Sequence, residues 1–206
     1  MSHRLKVLPY LIKHTPKAPI LFQDVIHVFT FDLDHTLIRP ISGSTFSKTA
    51  EDWQFVKYGN RNSLDTLFKL IQDEPNSLIV VFSNQGGVVA SPPDSKSCIK
   101  YLTKIELILK RIATMAQGDQ LLDRLWIYAS PKAPAGTSDR SVFAHMRKPA
   151  VGMMNQFMQD IGSLPIELKY YCGDAAGRST DFSDSDVKFA HNLHTTFKLP
   201  EDLFIT

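Results

Sequence analysis

Four short apolar runs, each followed by a longer polar or amphipathic stretch, set the rhythm of this 206-residue chain. Val25, Ile26, Val28, Phe29 and Phe31 form the first, and the run from Ser77 to Ser83 is β-branched and apolar throughout. Leu125-Trp126-Ile127-Tyr128-Ala129 and Tyr170-Tyr171-Cys172 are the third and fourth. Runs of this length and composition predict buried strands of a parallel sheet covered on both faces. The segments between them change period. Leu64, Leu67, Phe68, Leu70 and Ile71 recur at helical spacing after Ser63 and stop before Pro75, which predicts a crossover helix. A longer helix is predicted from about Asp94 to Ala116, with Cys98, Leu102, Ile105, Leu109 and Ile112 inward and Lys96, Lys100, Lys104, Lys110 and Arg111 on the solvated face. Arg147-Lys148-Pro149 reads as the opening of another helix, with Met154, Phe157, Met158 and Ile161 packed inside. A last short helix carries Val187, Phe189, Ala190 and Leu193. Strands alternating with helices imply an α/β fold with right-handed crossovers.

Two stretches lack a sustained period. Arg39 to Asn62, rich in Ser, Thr, Gly and Lys, reads as a loop or small flap whose aromatics Trp53, Phe55 and Tyr58 pack, or cover the edge of a site. Ser130 to Ser141 has the Pro/Ala/Gly/Ser composition of a mobile loop. Residues 1–24 carry Arg4, Lys6, Lys13 and Lys17 before the first acid, Asp24. Their alternation and the prolines Pro9, Pro16 and Pro19 favour a basic arm or edge strand packed on the domain over an amphipathic targeting helix. With 43% hydrophobic residues the chain can bury a full core, and residues 1–206 are read as a single domain.

Charge and cysteine content add mostly exclusions. A net charge of +2 does not by itself indicate nucleic acid. Cys98 and Cys172 lie far apart without CxxC or CxH spacing, which argues against a zinc site and for reduced thiols in an intracellular protein. No apolar run is long enough to span a membrane. Neither GxxxxGK[ST] nor GxGxxG occurs, so the chain shows no nucleotide-binding loop.

The chemistry gathers where the strands end. Asp32-Leu33-Asp34 closes the first run with two carboxylates on one side of the backbone, a costly pairing that points to a Mg²⁺ site at the carboxyl edge of the sheet. Ser83 closes the second run, before the polar turn Asn84-Gln85-Gly86-Gly87, and Asp174 follows the fourth. Lys148 stands beyond the third. Any one of these is weak evidence, but their convergence on one edge supplies a nucleophile, an acid/base, a hydroxyl, a cation for phosphate and a metal-binding acid.

This ordered set resembles the haloacid dehalogenase (HAD) superfamily of phosphotransferases, over Val25 to about Leu193. The resemblance implies a Rossmann-like three-layer α/β/α sandwich with a mostly parallel sheet, capless or with a minimal flap. It further implies that Asp32 attacks phosphorus to form an aspartyl-phosphate, and that Asp34 protonates the leaving oxygen and then activates water. Ser83 and Lys148 would hold the phosphoryl oxygens, and Mg²⁺ would rest on Asp32, the Asp34 backbone carbonyl and Asp174. Thr36 is read as orienting the nucleophile loop or as a structural turn residue.

A narrower resemblance rests on Phe82-Ser83-Asn84-Gln85-Gly86-Gly87, Arg147-Lys148-Pro149, and Tyr171-Cys172-Gly173-Asp174-Ala175-Ala176-Gly177-Arg178 with Asp181-Phe182-Ser183. These are similar to the phosphatase domain of the polynucleotide kinase/phosphatase family, in a version without the kinase. Asp181 is the choice for the second acid of the last motif, a metal-site residue, with Asp184 and Asp186 left open. The family implies a DNA 3′-phosphatase that processes strand ends during repair in the nucleus. The segments from Asp32 to Ser83 and from Ser83 to Lys148 leave no room for a large cap, which suits a site open to a strand terminus at a break, nick or gap. Arg39, Arg140, Arg147 and Arg178 are candidates for backbone phosphates, Arg178 alternatively bracing the Asp174 loop. Thr36, Asn84 and Gln85 complete the expected substrate-binding set. The alternatives are a small-molecule phosphatase of the histidinol-phosphate or heptose-bisphosphate type, and a non-catalytic scaffold for DNA ends.

Overall fold

The computed structural model describes residues 2–18, 20, 22 and 24–205. Its strands, in chain order, are β1 (His3–Leu8), β2 (Leu11–Pro16), β3 (Ile26–Phe31), β4 (Ile38–Arg39), β5 (Gln54–Phe55), β6 (Lys57–Tyr58), β7 (Arg61–Asn62), β8 (Ser77–Gln85), β9 (Leu125–Pro131), β10 (Ile166–Cys172) and β11 (Phe197–Lys198). The helices are α1 (Ser63–Asp73), α2 (Lys96–Ala113), α3 (Gly118–Leu122), α4 (Ser141–Met146), α5 (Gly152–Ile161), α6 (Ser185–Asn192) and α7 (Pro200–Phe204). Seven strands form one sheet in the order β1-β2-β9-β8-β3-β10-β11. From β9 to β11 every pairing is parallel, while the β1-β2 hairpin adds antiparallel on β9. This is the mostly parallel α/β sheet that the strand–helix alternation predicts.

Side-chain alternation along the central strands builds two cores. Phe29, Phe31, Ile79, Val81, Ile127 and Cys172 face α1, α2, α3 and α7. Ile26, Val28, Val80, Phe82, Tyr128 and Tyr171 face α5 and α6. Because successive strand residues point to opposite faces, an all-apolar strand feeds both layers at once. Both cysteines are free and buried in the first layer. Among the described residues no helix is long and apolar enough to cross a membrane.

Strand order fixes where a site can be. The chain runs from β3 to β8 and β9 on one side, then returns to place β10 and β11 on the other. The connection leaving β3 runs toward β8 and the one leaving its neighbour β10 runs toward β11, and this divergence opens a crevice above their carboxyl ends.

Several boundaries differ from the sequence expectation. The basic amino-terminal segment forms two strands, β1 at the sheet edge and β2 between it and β9, and Pro19 lies outside the described residues. Val25 precedes β3 and is 46% exposed. β8 continues past Ser83 because Asn84 and Gln85 keep pairing with Ser130 and Pro131 of β9. Lys148-Pro149 opens no helix: Arg147 caps α4, and α5 starts at Gly152. Trp53, Phe55 and Tyr58 pack on the core, Tyr58 stacked on Phe204 at 4.8 Å. Lys104 leaves the solvated face of α2 and is buried.

The edge hairpin carries two buried histidines. His3 Nε2 donates to the Leu125 carbonyl at 2.7 Å, whereas His14 Nδ1 is buried without a partner. Burial lowers His14 to about pH 4, with His3 adding to the effect, and burial also lowers His3. A histidine protonated more easily when unfolded stabilises the fold fully above its unfolded pKa of about 6.5, and that stability drains away as pH falls toward the folded value. Urea unfolding is expected to show wild type losing up to about 1.4 kcal/mol per pH unit through His14 between pH 6.5 and 4. His14→Leu should flatten that loss.

Candidate active site

Asp32 sits one residue beyond β3, over the crevice, and is 7% exposed. Its Oδ1 accepts from the Lys148 ammonium at 2.6 Å. The same ammonium donates to Asp186 Oδ1 at 2.8 Å and to the Tyr171 hydroxyl at 2.7 Å. Tyr171, at the end of β10, donates in turn to Asp186 Oδ1 at 3.0 Å. Four groups from four parts of the chain thus meet below the sheet edge. Asn84 holds the Lys148 turn in place: its side-chain amide donates to the Lys148 carbonyl at 3.0 Å and accepts from the Lys148 amide at 2.9 Å.

Electrostatics follow from burial. Desolvation drives the Asp32 carboxyl well above its ordinary range; Lys148 opposes that rise, while Asp186 and Asp174 add to it. Burial and Asp186 also raise Asp174. Burial alone would lower Lys148, but Asp186 and Asp32 outweigh it and the ammonium is held more tightly protonated. Oxygens of Asp32, Asp174 and Asp186 lie within 4.8 Å of one another. Three carboxylates against one ammonium leave two negative charges, which an all-oxygen donor set and a hard divalent cation would settle. The residues present fit such an ion.

Asp34 turns away from this cluster. Its Oδ1 accepts from Lys104 at 3.1 Å and its Oδ2 from Gln85 at 2.6 Å. Gln85 also donates to Ser83 Oγ at 2.8 Å. All of these groups line one cavity of about 560 Å³. Asp32, Asp34, Ser83, Lys148 and Asp174 are therefore brought together as the strand-end pattern predicts, and Asn84, Gln85 and Arg147, expected from the family resemblance, line the same cavity.

Five residues of the expected set are not so placed. Arg140, at the start of α4, donates to the Thr137 carbonyl and lies outside the residues that line the cavity. Asp181 is no part of the carboxylate cluster: it accepts from the amides of Ala176 and Arg178 and pairs with the Arg178 guanidinium at 2.9 Å, so it shapes the loop. Asp186 stands in its place. Arg178 is spent on Asp181, Glu201 and the Asp174 carbonyl, which makes it the brace of that loop. Thr36 is fully buried and donates to Asp174 Oδ1 at 3.3 Å, positioning the acid instead of touching substrate. Arg39 lies exposed on β4, outside the residues that line the cavity.

Three further lining residues escape a reading of spacing alone. Lys104 hides in a lysine-rich helix. Phe46 from the flap and Phe182 from the loop before α6 are 69% and 85% exposed and meet edge to face at 6.2 Å. Glycines explain the GDAAGR string physically: a Cβ on Gly173 would sit 2.4 Å from Asp186 Oδ2, and Gly177 takes a φ of +80° that side-chain-bearing residues rarely adopt.

The family model described as polynucleotide kinase 3 phosphatase matches residues 27–204. The chain belongs to that family. It is 46% identical to the polynucleotide 3′-phosphatase of Saccharomyces cerevisiae, the match covering 99% of each chain. It is 34% identical to the bifunctional polynucleotide phosphatase/kinase of Schizosaccharomyces pombe, over 85% of this chain and 36% of that protein. Among solved structures, D,D-heptose 1,7-bisphosphate phosphatase from B. bronchiseptica, complexed with magnesium and phosphate, superposes with a TM-score of 0.50 at 16% identity, covering 84% of this chain and 79% of that one. A HAD-like phosphatase structure from Mesorhizobium loti gives 0.53 at 12% identity over 91% and 78%. At such identities these two speak for the fold alone. The chain is a phosphatase, and the reading as a non-catalytic scaffold falls.

The two acids of the last motif are expected to separate by mutation. Asp186→Ala removes one partner of a buried ammonium and should cost about 3–5 kcal/mol in urea unfolding as well as activity. Asp181→Ala loosens its pair with the half-exposed Arg178 and two loop amides, and should lower the urea midpoint by less than Asp186→Ala does.

Proposed function

We propose that this protein is a Mg²⁺-dependent polynucleotide 3′-phosphatase that clears 3′-phosphates from DNA strand ends, working through an aspartyl-phosphate on Asp32. The observation that carries the reading is the buried Lys148 ammonium 2.6 Å from Asp32, over the switch point of the sheet and in one cavity with Ser83, Asp34 and Asp174. Family membership and the printed activities of the yeast relatives support the choice of substrate.

In this reading the terminal phosphate enters with its oxygens toward Lys148 and Ser83, which hold the charge that builds on them. An Asp32 oxygen forms a bond to phosphorus as the bond to the 3′-oxygen breaks. Asp34 gives its proton to that oxygen, and the strand leaves with a 3′-hydroxyl. Asp34 then takes a proton from water, which attacks phosphorus and frees inorganic phosphate and Asp32. Asp32, Asp174 and Asp186 are the residues whose oxygens would hold Mg²⁺; when bound it supplies positive charge beside the nucleophile and the phosphoryl group. Asn84 and Thr36 keep Lys148 and Asp174 in register.

The mouth suits a strand terminus. The flap residues Thr45, Phe46 and Ser47 border the cavity without a cap domain, and Phe46 and Phe182 offer exposed rings to a nucleobase. Lys100 and Arg147 are the lining cations nearest the surface, suited to the flanking backbone. On this reading the protein acts on broken or nicked DNA during repair in the nucleus, and the named activity of the Saccharomyces cerevisiae relative supports the nucleic-acid substrate.

A 3′-phosphorylated oligonucleotide with Mg²⁺ is the direct assay. Phosphate release is expected from wild type, to depend on added metal after chelation, and to fall by at least about 10³-fold in Asp32→Asn. Equal rates in Asp32→Asn and wild type would contradict the reading.

A further inference from the structure

Lys104 stands on the inward stripe of α2, beside Tyr101, Ile105 and Ile108, at a position where the core would accept an apolar side chain. Its side chain is 8% exposed, and its ammonium reaches the cavity to meet Asp34 Oδ1 at 3.1 Å. An ammonium placed here loses hydration that an apolar side chain would not, so stability alone is a weak reason for a lysine.

The pattern of donors supplies one. The two oxygens of Asp34 are taken by different elements, Oδ1 by Lys104 from α2 and Oδ2 by Gln85 from β8. Gln85 is itself tied to Ser83. With both contacts the carboxyl plane is fixed. With Gln85 alone the group can pivot about one hydrogen bond, since a third of the Asp34 side chain is open to solvent. We propose that Lys104 is a positioning residue for the reaction: with Gln85 it fixes the Asp34 carboxyl group where it meets the leaving oxygen. This rests on the reading of Asp34 as acid and base given above.

Leaving-group dependence tests it. A sugar 3′-oxygen departs poorly without a proton, whereas p-nitrophenolate departs without one. kcat/KM covers the steps through formation of the phosphoenzyme, so it isolates the acid's part from the later attack by water. Purified full-length wild type, Lys104→Met, Lys104→Arg and Asp34→Asn are compared with Mg²⁺ on a 3′-phosphorylated oligonucleotide and on p-nitrophenyl phosphate, with unfolding midpoints measured in parallel. Lys104→Met is expected to lower kcat/KM on the oligonucleotide by about 10²-fold, at least about tenfold more than on p-nitrophenyl phosphate. Asp34→Asn should show the same bias more strongly, and Lys104→Arg, which keeps an N–H donor, should recover most of the loss. Equal losses of Lys104→Met on both substrates, whether from a lowered unfolding midpoint or a lost phosphate contact, overturn the assignment while Asp34→Asn still discriminates. Absence of discrimination in Asp34→Asn overturns the acid reading and the Lys104 assignment with it.

Discussion

One ammonium, that of Lys148, ties the site together. It is 1% exposed at its side chain and bonds to Asp32 and Asp186, which are 10% and 2% exposed. Taking such charges from water costs several kcal/mol per ion, which is recovered only where geometry is good and the remaining lone pairs are satisfied. Here Tyr171 and the Ala175 amide complete Asp186, and Asn84 clamps the backbone of Lys148. The parts so joined are the end of β3, the turn after α4, β10 and the start of α6. A change at any of them reaches Asp32.

The same constraint shapes the backbone nearby. Asp186 approaches the chain after β10 so closely that residue 173 has to be glycine, and its Oδ2 accepts from the Ala175 amide at 3.0 Å. That leaves Asp174 facing the cavity beside Asp32. The outward side of the loop is braced separately, by Arg178 with Asp181 and Glu201. Two acids five residues apart thus do different work, one within the carboxylate cluster and one bracing the loop with Arg178.

What could be read in the sequence follows from how each feature is encoded. Strands and their order of polar endings were legible because apolar runs are local signals, and Asp32, Ser83 and Asp174 stand directly at or beyond them. The GDAAGR string was legible through resemblance, and its glycines now have steric reasons. Asp186 was not separable from Asp181 because both follow the motif closely, and only the path of the loop decides which one turns inward. Lys104 was masked by its neighbours: in a helix rich in lysine, one that faces inward has the same identity as those that face water, and its partner Asp34 is distant in sequence. The turn at Lys148-Pro149 was misread as a helix start because proline is at home in both places. The amino-terminal hairpin showed alternation but not its partner strand, since pairing on β9 is a long-range contact.

The central claim is that the Lys148-paired carboxylate of Asp32 is the atom group that takes the phosphoryl from the strand end. Rapid acid quenching of a single turnover with a 3′-³²P-labelled oligonucleotide and Mg²⁺ tests it most directly. The account predicts a transient protein-bound label that hydroxylamine releases, mapping to the peptide containing Asp32 and absent from Asp32→Asn. Full phosphate release with no protein-bound label at any time, or a label that persists in Asp32→Asn, would contradict it.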